Sequence, residues 1–257
     1  MDNQKATSKQ YGQSASNAFN GRKSMFVLFI AVVVFLFAND VNFMKANSPE
    51  AAAAPINVKI SGTISHTEYT PGQKGKITFN RFPTTVKEFE QVREQIGGEP
   101  HGAIALQLMA FEMYRHNRKS GETCIRMNTV KNNADSPIRR LNELFGKDAN
   151  YARPYQVAAY LKDATPENGY APSKPYTIEI EVGKTPSYDK SSIFQTDVIS
   201  LRVLTNGKDS GGVSVSVLKT LKPDEPSKGK YFIIFECSNI YTQVKAVSFS
   251  APFKGLD

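Results

Sequence analysis

Three side chains near the middle of the chain have types and spacing suited to chemistry: Glu112, His116 and Cys124. Glu112 and His116 stand four residues apart, which puts both on one face of a helix. Such a pair supplies two metal ligands, but a tetrahedral site needs three or four, and no second pair is spaced to complete it. No metal is therefore expected, and a salt-linked helix end accounts for the pair. His101 belongs to the same helix but lies about 22 Å along the axis from His116, too far to share an ion. A Cys/His nucleophile needs Cys124 beside His116, and the short separation allows it. The surrounding SGETCIRMN carries no nucleophile motif, so a structural thiol is the simpler reading. There is no G-x-S-x-G elbow, P-loop or dinucleotide fingerprint, and the Gly-Gly pairs read as turns. Glu88, Glu90, Glu94, Glu99 and Glu112 read as solvated helix faces, with no pair set apart for acid-base work. This content does not amount to an enzyme and implies no cofactor. A thiol-dependent or hydrolytic activity using Cys124 with His116 and Glu112 is the alternative.

A binding surface has better candidates. The turn-rich segment Thr165 to Tyr176 contains Asn168 and Tyr170, and Tyr151, Arg153 and Tyr155 precede it. Aromatic and Arg side chains on long loops make interface anchors. The plainer alternative is a helix-to-sheet connector whose tyrosines pack on the sheet.

These residues need elements to hold them. INVKISGTI (56–64) alternates apolar and polar residues, and Lys76 to Phe79 gives a second short strand, so a hairpin is expected. Thr85 with Glu88 forms a capping box for a helix carrying Val86, Phe89, Val92 and Ile96, which Gly97-Gly98 ends. From Pro100 to about Asn117 the residues are apolar almost all round, but the run is too short to span a bilayer. It should be the buried central helix. Further helices are expected at Pro137 to Phe145, capped by Ser136 and stopped by Gly146, and at Pro154 to Leu161. Beyond Tyr176 the period becomes two. Strands are expected at Tyr176 to Val182, Ile199 to Val203, Val213 to Val217, Tyr231 to Cys237 and Val244 to Phe249, with turns at Asn206-Gly207 and Gly211-Gly212. The fold class is α+β: a short hairpin, about four helices, then an antiparallel sheet of about five strands.

Upstream lies MFVLFIAVVVFLFA, in which Met25, Phe26, Val27, Leu28, Phe29, Ile30, Val32, Val33, Val34, Phe35, Leu36 and Phe37 form an unbroken apolar run. A helix of this length covers about 21 Å, short of the hydrocarbon core of about 30 Å. That length, with Arg22 and Lys23 before it, suits the apolar core of a signal peptide. The long polar leader, residues 1–24, suits a cytoplasmic tail, and extension to Met44 reaches spanning length. Both readings stay open, and either exports the rest of the chain. The expected organisation is a tail or basic leader at 1–24, an anchor or signal at 25–44, a linker at 45–55 and an exported domain at 56–257. The localisation expected is a single-pass membrane protein with its N-terminus inside, or a secreted one after cleavage.

The net charge is +8, of which the first 38 residues carry +3, leaving +5 for the remainder. That excess suits anionic surfaces, but Lys and Arg are scattered among acidic residues, so ordinary solvation explains them and no specific nucleic acid is expected. The partners expected are the membrane, through 25–44, and a cell-envelope polymer or envelope protein. Cys124 and Cys237 are expected as two buried, unpaired thiols.

The run RPYQVAAYLKDATPENGYAPSKPYTIEIEV (153–182) resembles a segment shared by uncharacterised bacterial proteins grouped as a domain of unknown function. The resemblance extends from Phe82 through the C-terminal strands. It implies a bacterial source and an α+β fold, and it supplies no activity and no catalytic residues. The function expected from the whole sequence is an exported or membrane-tethered binding or structural module. A domain for anionic envelope polymer is the more specific variant.

Overall fold

Alternating side chains in VKISGT and KGKITF build two antiparallel strands, β1 (Val58–Thr63) and β2 (Lys74–Phe79). Four helices follow: α1 (Val86–Ile96), α2 (Pro100–His116), α3 (Arg118–Asn128) and α4 (Asp135–Leu144). After a 3-10 turn at Ala158–Tyr160 come β3 (Tyr176–Glu181), β4 (Tyr188–Ser191), β5 (Thr196–Leu204), β6 (Gly212–Leu218) and β7 (Ile233–Glu236). The computed structural model describes residues 54–184, 188–191 and 193–256. All these elements belong to one compact unit, Pro55–Asp257, which contains the whole core. The apolar run at 25–44, the leader before it and most of the linker lie outside the described residues. Among the described residues, no helix is long and apolar enough to cross a membrane.

The sheet runs in the order β1-β2-β3-β5-β6-β7, antiparallel throughout. β6 occupies one edge of β5, so β3 and β4 share the other: β3 pairs at Arg202 and Val203, and β4 at Thr196 to Ile199. The result is six lanes, with β4 continuing the lane of β3. The expected hairpin is therefore not a separate piece but the edge of the one sheet. Ile77, Phe79, Ile178, Ile180, Ile199, Leu201, Val203, Val215 and Val217 face the helices and are buried.

α2 packs on that inner face. Every residue from Pro100 to Tyr114 is buried, as its all-round apolar sequence requires. Fully burying a Leu, Ile, Phe or Met side chain contributes about 1.5–3 kcal/mol, so this helix is the largest single source of stability. α1 begins at Thr85, whose hydroxyl accepts the Glu88 amide at 3.2 Å. The Glu88 carboxylate reaches back to the Thr84 amide at 2.8 Å and pairs with Arg81 at 2.6 Å, which holds its pKa down at about 2. Asn117 ends α2 and caps α3 through Ser120, turning the chain at a tight corner. Gly121 sits where a Cβ would meet the Tyr114 backbone nitrogen at 2.2 Å.

Several expectations are corrected. Cys124 follows the helix that carries both histidines, but its own segment forms a helix, α3, that was not expected. α4 starts at Asp135 rather than Pro137, and Ala134, not Ser136, occupies the N-cap position without a side-chain bond. Pro154 to Leu161 does not form an α-helix. Only the turn Ala158–Tyr160 is helical, because Leu161 is extended and passes the Lys162 amide to the Thr177 carbonyl beside β3. Val244 to Phe249 is not a strand: its amides go to Gln156 Oε1, the Gly207 carbonyl and the Pro166 carbonyl. With β4 added, the segment after Tyr176 still holds five strands, but not the five expected.

Two stability predictions follow from this packing. Gly121→Ala drives a methyl into fixed backbone and should cost about 1–3 kcal/mol, read as a lower thermal midpoint. His101 in α2 is fully buried with neither ring nitrogen hydrogen-bonded, and burial lowers its pKa to about 4. The unfolded chain then binds the extra proton between pH 6.5 and 4. Stability should be complete above pH 6.5 and fall as pH drops to about 4, by a few kcal/mol at ~1.4 per unit. Thermal melts against pH should show this loss, and His101→Leu should flatten it within that window.

Candidate functional site

The inner face of the sheet is sealed by helices, so a ligand has access to the outer face. Alternation puts Lys59, Ser61 and Thr63 of β1 outward, with Lys74 and Lys76 of β2, Glu179 and Glu181 of β3, and Arg202 of β5. Strand register lines these up in rows across the sheet: Thr63, Lys74, Glu181, Arg202 and Ser214 form one, and Ser61, Lys76 and Glu179 the next. A cleft of about 290 Å3 lies between Ser61, Lys74, Lys76, Glu179 and Glu181. A second, of about 490 Å3, adjoins it between Glu181, Lys184, Ser200, Arg202 and Ser214. Gly75 lines the first cleft, and a Cβ there would meet the His101 ring at 2.5 Å on the inner side. The floor of the cleft is therefore one backbone layer thick.

The charges on this face are unequally paired. Arg202 donates to Glu181 at 2.9 Å and to the Ser210 carbonyl, and Lys162 stands 3.6 Å from Glu179. Lys59, Lys74, Lys76 and Lys184 make no ion pair within 4 Å among the described residues. The face thus carries a surplus of mobile ammonium groups around two open clefts, an arrangement that attracts and holds anions. Composition did not single out these lysines; the K-G-K alternation of β2 was the available signal.

The residues singled out by sequence fall elsewhere. Glu112 is 1% exposed, not a solvated face, and accepts from Arg115 Nε at 3.0 Å and Nη2 at 2.5 Å. His116 Nε2 lies 3.1 Å from Glu112, so the pair is a salt-linked helix end. Among the described residues, no group of three or more His, Cys, Asp or Glu side chains is placed to hold a metal. Cys124 is not joined to His116. It is fully buried within the helical layer, and burial, with a smaller contribution from Glu90, pushes its thiol up to about 12. Cys237 is also free and buried, with its pKa raised by burial and then by Glu236.

The loop candidates are brought together, as a clamp. Tyr155 stacks on Tyr170 with ring centroids 5.1 Å apart, and Phe253 meets Tyr155 edge-on at 6.0 Å. The Tyr170 hydroxyl donates to the Lys245 carbonyl at 2.9 Å, and Arg153 Nε to the Val244 carbonyl at 3.4 Å. Asn168 spends its amide inside the loop, accepting from Thr165 and Ala171 and donating to the Asp163 and Ala171 carbonyls. Tyr151 and Asn168 are exposed. Arg153, Tyr155 and Tyr170 hold the C-terminal segment down, and the twelve apolar residues of the 25–37 run lie outside the described residues.

The domain of unknown function DUF6935 matches residues 81–248. The chain belongs to this family. The match covers the span over which the sequence resemblance was drawn and all elements from α1 to β7, while β1 and β2 precede it. No curated protein and no solved structure matches the chain. The family adds no chemistry to the site, so the geometry of the outer face carries the functional argument.

Neither thiol should behave as a nucleophile. In the native protein at neutral pH, Cys124 and Cys237 should resist iodoacetamide, and both should alkylate once the chain is unfolded, as read by intact mass. Rapid native labelling of Cys124 would instead revive the thiol-dependent reading.

Proposed function

We propose that this protein is a membrane-tethered or secreted bacterial binding module that holds an anionic polymer of the cell envelope against the outer face of its sheet. The observation that carries the reading is the set Lys74, Lys76 and Lys184, which line two adjoining clefts without ion-pair partners among the described residues, with Lys59 on the same face. Ammonium groups on four-carbon stems suit a repeating phosphate or carboxylate chain, because they adjust to charges at varied spacing. A flat, polar sheet face suits an extended ligand better than a small enclosed one. Export is supported by the apolar run at 25–44 with its basic flank, as a single-pass anchor with the N-terminus inside or as a cleaved signal.

Polyphosphate, used as a defined anionic polymer, tests the reading. The domain should bind it by fluorescence anisotropy, with affinity falling steeply from about 50 to about 200 mM salt. Lys74→Gln with Lys76→Gln, which removes the charge without setting like charges opposite Glu181 and Glu179, should weaken binding at least about tenfold while leaving the thermal midpoint unchanged. Equal binding by the double variant would exclude the outer face as the site.

A further inference from the structure

We infer that the end of the sheet formed by the β4–β5 turn and the β6–β7 loop docks on an anionic lipid bilayer. Two large aliphatic side chains stand in solvent there: Ile193 is 68% exposed and Leu221 85%. Their loops are fastened to one another. Thr220 Oγ1 donates to the Phe194 carbonyl at 3.0 Å, and Thr196 Oγ1 to the Lys219 carbonyl at 2.8 Å. Behind them a small apolar cluster of Val130, Val198, Leu218 and Ile233 is flanked by Phe194 and Phe235. The tip is thus an apolar end to a sheet face that is otherwise polar.

The loop presenting Leu221 is held in shape from several sides. The Ser227 hydroxyl donates to the Thr220 carbonyl at 2.7 Å and accepts the Thr220 and Gly229 amides at 3.2 Å. Arg93 Nη2 donates to the Pro226 carbonyl at 2.7 Å, and its guanidinium lies 4.1 Å from the centre of the Tyr231 ring. The Phe232 amide donates to the Gly97 carbonyl at 2.8 Å. A loop so fixed keeps Leu221 outward.

The charge around the two aliphatic groups selects the partner. Lys219, Lys222, Lys228 and Lys230 occupy the same loop. The Lys219 and Lys222 ammonium groups stand over the Phe232 and Phe194 rings, 5.5 and 5.4 Å from the ring centres. Of the nearby acids, Glu225 is buried against the Lys131 amide and Glu94 is taken by Lys230 and Tyr231, which leaves Asp224 and Asp197. Aliphatic tips ringed by snorkelling lysines match the headgroup boundary, where the apolar ends enter the acyl region and the ammonium groups meet lipid phosphates. With the tether proposed above, this second contact becomes intramolecular, so a modest intrinsic affinity suffices.

Residues 55–257 carry the complete core and every described element, so the test uses this unit without the apolar run. It should co-sediment with vesicles containing about 30 mol% phosphatidylglycerol and not with neutral phosphatidylcholine vesicles. Ile193→Ser with Leu221→Ser should lower partitioning about tenfold at unchanged thermal stability. Lys222→Glu with Lys228→Glu should lower it similarly and remove its salt dependence. Lys74→Gln with Lys76→Gln should leave vesicle binding intact, which separates this surface from the polymer face. Failure of the wild-type unit to bind anionic vesicles would overturn the inference. So would equal binding by the Ile193→Ser/Leu221→Ser variant, or a tip-dependent dimer in place of vesicle binding.

Discussion

The fold depends on one constraint: α2 has no side that tolerates water. Apolar residues occur at nearly every position from Ala103 to Tyr114, so the helix must be covered all round. The inner sheet face covers one side, and α1, α3 and α4 close around the rest. The few polar side chains that share this burial have to be handled individually, since an unpartnered buried polar group costs several times what its hydrogen bond returns. Gln107 Oε1 accepts from Asn128 Nδ2 at 2.9 Å, which also fixes the end of α3 against α2. Glu112 is matched by two nitrogens of Arg115, whose guanidinium also faces the Phe253 ring at 5.9 Å. Among the described residues, Gln107 Nε2 and Asn128 Oδ1 are left unmatched, and His101, neutral beneath Gly75, has a partner at neither ring nitrogen.

Where helices do not reach, side chains replace regular structure. The segment after β7 has buried Ile240 and Val244 but no strand neighbour for its backbone. Gln156 Nε2 donates to the Ile240 and Thr242 carbonyls at 2.6 and 2.8 Å, and its Oε1 accepts the Val244 amide. Lys208 Nζ adds the Gln243 carbonyl at 2.5 Å, and Tyr160 its hydroxyl at 3.2 Å from the Ile240 carbonyl. This accounting explains why Pro154 to Leu161 does not form an α-helix and keeps only the 3-10 turn Ala158–Tyr160. Its side chains and turns are spent on the C-terminal segment, and a regular helix would point many of them elsewhere.

Patterns with a strong local cause were legible in the sequence. The Thr85 cap, the all-round apolar α2 and the alternating strands β3, β5 and β6 follow from contacts within a few residues. α3 was not legible because RKSGETCIRMN is polar and contains a glycine. Gly121 is there for close approach to Tyr114, a reason visible only in three dimensions. Glu112 reads as solvated until the C-terminal segment is placed beside its partner Arg115. The lysines of the outer face were hidden for the opposite reason. Each looks like ordinary solvation, and only strand register brings Lys74 and Lys76 opposite Glu181 and Glu179 of β3 and puts Lys59 on the same face.

The family match and the charged face divide the sheet differently, and the division bears on function. Glu179, Glu181, Lys184 and Arg202 fall within the matched residues 81–248, as does the whole apolar tip at Ile193 and Leu221. Lys59, Lys74 and Lys76 stand on β1 and β2, outside the match, yet these strands complete the sheet with a regular register. The family unit by itself therefore supplies the scaffold, the acidic residues of β3, Lys184 and the tip, and the added hairpin supplies the other three lysines. Removing β1 and β2 would do more than shed charge: it would uncover Ile178 and Ile180 of β3 and the side of α2 that Ile77 and Phe79 protect. Binding charge and core protection thus sit on alternate residues of the same strand, Lys74 and Lys76 outward, Ile77 and Phe79 inward. A two-residue period lets one short hairpin serve both purposes, so the polymer-binding reading and the stability of the central helix are physically linked through β2.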